Sequence, residues 1–411
     1  MLGRLLIVAA VLASYLAGAP AAWAAEEKAR PLAHRDLVLD LGPKLPEPEK
    51  EALSDPRFAA ASRYTTARQI SSIAAGIFIV AGLLAFYFVG GPAWVERKTK
   101  GRPFAATLLT AGAVGSIPTA VFLAAAVVRA VYLKGAGVPI SAVAVVAPPV
   151  CYGLGAAAFT FAVGSARTYW PRSWWIAITA AAVAAAVGGL LFLPFPPADR
   201  PASPTGGFLA ERAQYLSSQY EFTPYEIAVE RRGPGAGTIT AVALPARRKV
   251  VATEGAESLN RYEAEVLLAT AIRRAEARQK SLLGAAALVA FMAALLLAEY
   301  AAGRLALLKE SRRGAPADDL SAFAAVFVAV CLLGLVLFNA WHRHLARQVD
   351  EEVVTLTRKP LAAVTLYYRE AAANLAAAEP NPILHFLADA YPSPAERAAE
   401  ARRLRRELAR E

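Results

Sequence analysis

The chain has only four imidazoles to offer to chemistry: His34, His342, His344 and His385. His342 and His344 are two residues apart, so on a helix they face different ways. They stand beside Trp341 at the end of an apolar run, where His and Trp commonly anchor a span at the membrane surface. With Glu351 and Glu352 they form the one His and carboxylate grouping that a zinc ion could draw on. Cys151 and Cys331 each sit inside an apolar run, so neither a disulfide framework nor a zinc-finger spacing exists. No Ser/His/Asp or Cys/His arrangement is present. The segment Gly233-Pro234-Gly235-Ala236-Gly237 is a turn rather than a phosphate-cradling loop, because no Lys-Ser/Thr follows it. Glu299, at the edge of an apolar run, reads as an interfacial residue rather than a proton relay.

The elements that must position these groups are mostly apolar helices. Of 411 residues, 56% are hydrophobic and 19% charged, and the mean hydropathy is +0.39. Both proportions move away from a soluble domain and towards the bilayer, and they exclude a disordered or fibrous chain. The net charge of +11 fits loops that face the cytoplasm and anionic headgroups, and it calls for no nucleic acid. Six runs are long enough to cross about 30 Å of hydrocarbon: Ile70–Val89, Phe104–Val128, Val138–Val163, Ser173–Leu193, Ser281–Ala298 and Leu320–Trp341. Pro118 is expected to kink the second, and Pro148-Pro149 to break the third.

Met1 to Ala24 reads as a signal peptide, with Arg4, an apolar stretch from Leu5 to Leu16, and small residues around Trp23. Residues 25–67 follow as an extracytoplasmic leader that runs into a helix near Phe58 to Arg68. Basic residues set the orientation. The loops after spans one, three and five hold ten Lys or Arg, among them Arg97, Lys98, Arg167 and Arg312. The short loop on the opposite side holds Arg129 and Lys134. The first set is therefore expected in the cytoplasm, and residues 199–280 and 342–411 outside it. This is the layout of a multi-pass protein of a bacterial-type inner (plasma) membrane.

Two polar regions remain. In residues 199–262 a helix is expected from Phe208 to Gln219. Strands are expected at Glu226–Glu230, Thr238–Leu244 and Arg247–Ala252, making a small α+β insert with a short antiparallel sheet. Leu259 to Lys280 is an amphipathic helix leading into span five. The region 342–411 is helical, with segments His342–Leu356, Leu361–Ala377 and a charged terminal helix. The fold class is thus mainly α, a polytopic membrane protein of six spans plus a signal peptide. Its parts are 1–24, 25–67, a four-span domain at 68–198, and a second domain at 199–411.

This order of elements resembles the integral-membrane zinc metallopeptidases of the CAAX prenyl protease type (peptidase family M-forty-eight). Ser165-Ala166-Arg167-Thr168 with Trp170 to Trp175 is similar to the family's "ART…WW" before the last span of the first domain. Ala246–Ala252 and then Glu263-Ala264-Glu265-Val266-Leu267-Leu268-Ala269 resemble its strand and its "EIEAVLA" helix start. His342-Arg343-His344 to Asp350, Arg369-Glu370 to Asn374-Leu375, Pro380-Asn381-Pro382, and Tyr391-Pro392-Ser393-Pro394 to Arg397 resemble the segments that follow.

The resemblance implies a site of known chemistry. The family's helix continues as H-E-x-x-H, two histidines on one face holding zinc around a general base. In register with Ala269, those positions carry Thr270, Ala271 and Arg274. The third ligand falls on Ala346, and the aspartate four residues later is kept as Asp350. The tail histidine falls on Tyr391, and Arg397 is kept. Thr is a poor ligand, Ala is none, and Arg keeps its proton. Arg273 or Arg274 is expected to fill the vacated charge as a partner of Asp350. The resemblance then implies a membrane metallopeptidase homologue without catalytic residues, metal or cofactor. It would be a pseudoprotease that meets lipid and binds polypeptide or membrane-protein segments by strand addition near Thr238–Leu244. Two alternatives stand beside it. One is an active zinc endopeptidase using His342, His344, Glu351 and Glu352; the other is a structural or transport membrane protein.

Overall fold

The computed structural model describes residues 57–410, apart from 136–137, 139, 172, 193–207, 220–225, 231–238, 245–246, 254–258, 277–278 and 309–315. The expected signal peptide and most of the expected leader, with His34, lie outside the described residues. The first membrane part comprises α1 (Arg57–Phe88), α2 (Gly91–Thr99), α3 (Pro103–Gly135), α4 (Ala142–Tyr169) and α5 (Trp174–Phe192). The insert holds α6 (Phe208–Gln219), β1 (Glu226–Glu230), β2 (Ile239–Leu244) and β3 (Arg247–Thr253). Then come α7 (Arg261–Glu276), α8 (Gln279–Leu308), α9 (Pro316–Thr357), α10 (Pro360–Ala373), α11 (Pro382–Ala388) and α12 (Pro394–Leu408).

Five described helices are long and apolar enough to cross a membrane: Ala60–Phe88, Pro103–Gly135, Ala142–Tyr169, Ala287–Leu305 and Asp319–Thr357. The expected fourth span is α5, a helix of 19 residues. Its stretch Trp174–Ala184 counts as a shorter apolar helix. Exposed apolar side chains such as Ile77, Phe78, Leu154 and Leu337 line the spans, as lipid-facing positions do. Within the bundle, Phe323 stacks on Phe327 at 5.7 Å, and Phe159 stacks on Phe327 at 5.0 Å. These rings tie α4 to α9.

Three expectations about elements are corrected. Pro148 and Pro149 do not break the third span, because α4 runs continuously from Ala142 to Tyr169. They lie in its second turn, after a first turn that Ser141 caps by accepting a hydrogen bond from the Ala144 N–H at 3.1 Å. They leave the Ala144 and Val145 carbonyls without their helical donors, a loss that a span tolerates where neighbouring helices and local adjustments compensate. The last span and the segment His342–Leu356 are one helix, since α9 is 42 residues long. No Gly or Pro interrupts its polar half. The sheet is mixed rather than antiparallel, in the order β1-β3-β2. β3 lies in the middle, parallel to β1 (Ile227 opposite Val250) and antiparallel to β2 (Ala241 opposite Val250). A hydrophobic centre claims the middle position, and β3 supplies it with the buried Val250 and Ala252.

Spans α3 and α4 touch backbone to backbone through glycine. A Cβ on Gly153 would lie 1.5 Å from Thr119 Oγ1 and 2.7 Å from the Gly115 carbonyl oxygen. Small residues permit such approaches between spans, where dispersion drives association. Gly153→Val is therefore expected to push the two helices apart at a cost of about 1–3 kcal/mol. Gly155→Ala, whose Cβ would meet nothing within 4 Å, should leave stability unchanged. Unfolding of the two variants in the same detergent compares them directly.

Candidate functional site

Helix α7 starts from a reciprocal cap. Asn260 Oδ1 accepts from the Tyr262 N–H at 3.0 Å, and Glu263 Oε2 accepts from the Asn260 N–H at 3.4 Å. That pairing satisfies orphan donors of the first turn. From Glu263 to Ile272 every residue of α7 is buried, so the helix is enclosed on all sides. Beside it, α9 buries Ala346, Val349, Asp350, Val353 and Val354, the i, i+3, i+4, i+7 pattern of a helix face. Helices α10 and α12 close the same core, with Leu366, Tyr367, Ala398 and Ala401 buried.

The positions that match the family motif lie in this core and offer no ligand set. Thr270 is buried, and its hydroxyl donates to the Val266 carbonyl at 2.7 Å. Ala271 and Ala346 are buried methyl groups. Arg274 lies 5.6 Å over the Tyr391 ring, and the His342 ring meets Tyr391 edge-on at 4.6 Å. Arg274, Tyr391 and His342 thus come together as a cation and two rings. The residues here do not fit a zinc ion: one hydroxyl is already engaged, two side chains have no donor atom, and a guanidinium stands at the fourth position.

The other candidate metal residues are dispersed among separate partners. His342 Nδ1 lies 3.0 Å from the Ala390 carbonyl. His344 Nε2 lies 3.2 Å from Gln348 Nε2. Glu352 pairs with Arg273, and Glu351 lies 3.5 Å from Arg403. Among the described residues, no group of three or more His, Cys, Asp or Glu is placed to hold a metal ion.

The expected partner of Asp350 is corrected. Neither Arg273 nor Arg274 reaches it; Arg397 does, from α12. Arg397 Nε donates to Asp350 Oδ2 at 2.6 Å, and its second arm donates to Oδ1 at 2.9 Å. It also donates to Glu370 at 3.2 Å and lies 3.7 Å over the Tyr367 ring. Arg273 pairs instead with Glu352, and Arg274 lies over the Tyr391 ring. Burial alone would strip the Arg397 proton more easily. Asp350, Tyr367 and Glu370 outweigh it, and the guanidinium is held well above its usual value. Burial first, and Asp350 second, push the Tyr367 phenol upward. The cluster is a bidentate fork-to-carboxylate pair on an aromatic floor, which stays charged and fixes α9, α10 and α12 together.

A second polar node was not legible in the sequence, although His385 was singled out as an imidazole. Asp389, just after α11, accepts from Arg68 at 2.7 Å and from Gln69 at 2.5 Å, both on α1. His385 Nδ1 lies 2.9 Å from the same carboxylate. Arg343 of α9 donates to the carbonyls of His385, Phe386 and Asp389. It thereby satisfies the C-terminal carbonyls of α11. Separations above 300 residues in sequence hide the link from α1. Burial would raise the Asp389 carboxyl, but the bonds from His385, Arg68 and Gln69 win and hold it below the usual 3.8. A depressed carboxyl stabilises the fold above its unfolded value and loses that contribution as pH falls through its folded value. Melting temperature is thus expected to drop as pH falls below about 4, and Asp389→Asn should start lower and show a flatter profile there.

No family model matches this chain, and no curated protein matches it. A solved structure does: the crystal structure of S. mikatae Ste24p superposes with a TM-score of 0.54 at 13% sequence identity. The match covers 98% of this chain and 99% of that one. The chain has the polytopic membrane fold of the CAAX prenyl protease type, the fold of Ste24p.

Proposed function

We propose that this protein is a membrane metallopeptidase homologue that has given up zinc hydrolysis and binds polypeptide instead. One observation carries the reading: the four positions that would hold zinc and its base are Thr270, Ala271, Arg274 and Ala346, and three of them are packed into the core with no donor to spare. No group there can strip a proton from water at neutral pH. The edge of β2 supports the binding half of the proposal. Among the described residues β2 pairs only with β3, so one row of its backbone groups faces outward for a peptide in extended form. The chain is an inner-membrane protein whose insert and tail face away from the cytoplasm, on the ratio of basic residues in its loops.

Elemental analysis of the detergent-purified chain tests this. Well below one zinc per chain is expected, with retained affinity for an unfolded peptide and no chelator-sensitive cleavage. Stoichiometric zinc lost on His342→Ala would support the active endopeptidase and end the proposal. A reporter fused after Glu411 tests orientation; activity in the cytoplasm would reverse it.

A further inference from the structure

Ser71 and Ser72 stand at the start of the first span, and Arg129 directly follows the second. Helices α1 and α3 bring the three side chains together at one rim of the bundle. Arg129 Nε donates to Ser71 Oγ at 3.1 Å, and one terminal nitrogen donates to Ser72 Oγ at 3.2 Å. Each hydroxyl in turn donates to the Arg68 carbonyl, at 3.0 and 2.8 Å. A guanidinium carries five N–H donors. Two are spent on the serines, so three meet nothing among the described residues.

The charge of Arg129 is unmet as well. The titratable groups that act on it are Tyr64, Arg68 and Tyr152, two phenols and a second cation. Arg68 already has Asp389 at 2.7 Å, and Gln69 donates to the other oxygen of that carboxylate. Among the described residues no carboxylate pairs with Arg129. A second observation is the surface around it. The side chain is half-buried, and Ile70 and Val131 beside it are 52% and 65% exposed, with Val128 exposed too. Those residues face lipid, so the cation stands at the rim of an apolar wall.

We propose that this rim binds an anionic phospholipid, its phosphodiester received by the three unspent donors of Arg129 and its acyl chains lying on Ile70, Val128 and Val131. A planar guanidinium gives phosphate oxygens two parallel hydrogen bonds, and one cation matches the single charge of a phosphodiester. An anionic headgroup suits the site better than a zwitterionic one, because no carboxylate there is free to receive an ammonium: Asp389 is taken by Arg68 and Gln69. The source is the bilayer rather than a soluble ester. Arg129 comes directly after an apolar span, at the depth where headgroups lie.

Thermal unfolding of the full chain in dodecyl maltoside, with defined lipid added, tests the site. Dioleoylphosphatidylglycerol is expected to raise Tm in a concentration-dependent way. Dioleoylphosphatidylcholine should do so more weakly, and sn-glycerol 3-phosphate not at all. Arg129→Gln should need about tenfold more phosphatidylglycerol for the same shift, the effect of one charge-assisted hydrogen bond. The shift is read rather than the lipid-free Tm, since this variant also gives up its bonds to the serines. Ser71→Ala with Ser72→Ala gives up the same two bonds but keeps the cation, and should keep the response. Lys134→Gln removes an exposed cation from the same end of α3 and should also keep it. Four results would each overturn the proposal: no preference of the parent for phosphatidylglycerol, an undiminished response in Arg129→Gln, an equal loss in either control variant, or an equal shift from glycerol phosphate. The zinc and peptide measurements do not involve this rim, so the site can fail while the reading of the motif positions stands.

Discussion

Arg397→Met is expected to destabilise the protein by about 3–5 kcal/mol, because it strands Asp350 as a buried charge without its partner. The side chains of Arg397 and Asp350 are 13% and 4% exposed, so water cannot take the place of the guanidinium. The same change removes a cation from the face of Tyr367 and a donor from Glu370. Arg397→Lys keeps the charge but not the two-armed geometry, and should recover only part of the loss. Arg397→Met with Asp350→Asn removes both charges at once and should be less damaging than Arg397→Met alone, since most of the single-mutant cost is an unpaired carboxylate. Denaturant unfolding of the four proteins in one detergent gives the coupling between the two sites. A double variant as unstable as the sum of its singles would show that Arg397 and Asp350 act apart, and that the pair does not hold α9 to α12.

Glu265→Ala is expected to cost a similar amount, again about 3–5 kcal/mol, for the opposite reason. It leaves the Arg212 and Lys359 cations facing one another across the place of a carboxylate that was 3% exposed. Burial holds the Lys359 amine below its usual 10.5, with Glu265 pulling the other way; removal of Glu265 lowers it further. A lysine depressed in the folded state releases its proton on folding, so stability rises with pH between the folded and the unfolded values. The deficit of Glu265→Ala should therefore shrink as pH rises from about 7 towards 10. Lys359→Met leaves Glu265 with Arg212 and should cost less, about 1–3 kcal/mol. Unfolding midpoints of the parent and both variants at several pH values separate these outcomes, and a deficit independent of pH would mean that Lys359 does not carry the strain.

Both predictions concern buried ion pairs that join elements far apart in the chain, and the two halves of the site differ in how visible they were. Thr270, Ala271 and Arg274 were aligned from a local string in register with Ala269, and Ala346 from a second string; what the fold adds is that Thr270, Ala271 and Ala346 are buried. Asp350 and Arg397 were visible as residues but not as a pair. They are 47 positions apart, and the chain has 44 basic side chains competing for 33 acidic ones. Glu265 was visible only within a helix-start string and Lys359 not at all, and 94 positions separate them.

The amino-acid order alone determined that this is a membrane protein of several spans with a polar insert and a helical tail. A run of about twenty apolar residues has one stable home. Tertiary packing decided the rest: which guanidinium reaches which carboxylate, that β3 takes the centre of a mixed sheet, and that α9 continues unbroken from lipid into the soluble core. Those outcomes depend on which surfaces exclude water together, and only the folded chain brings those surfaces into contact.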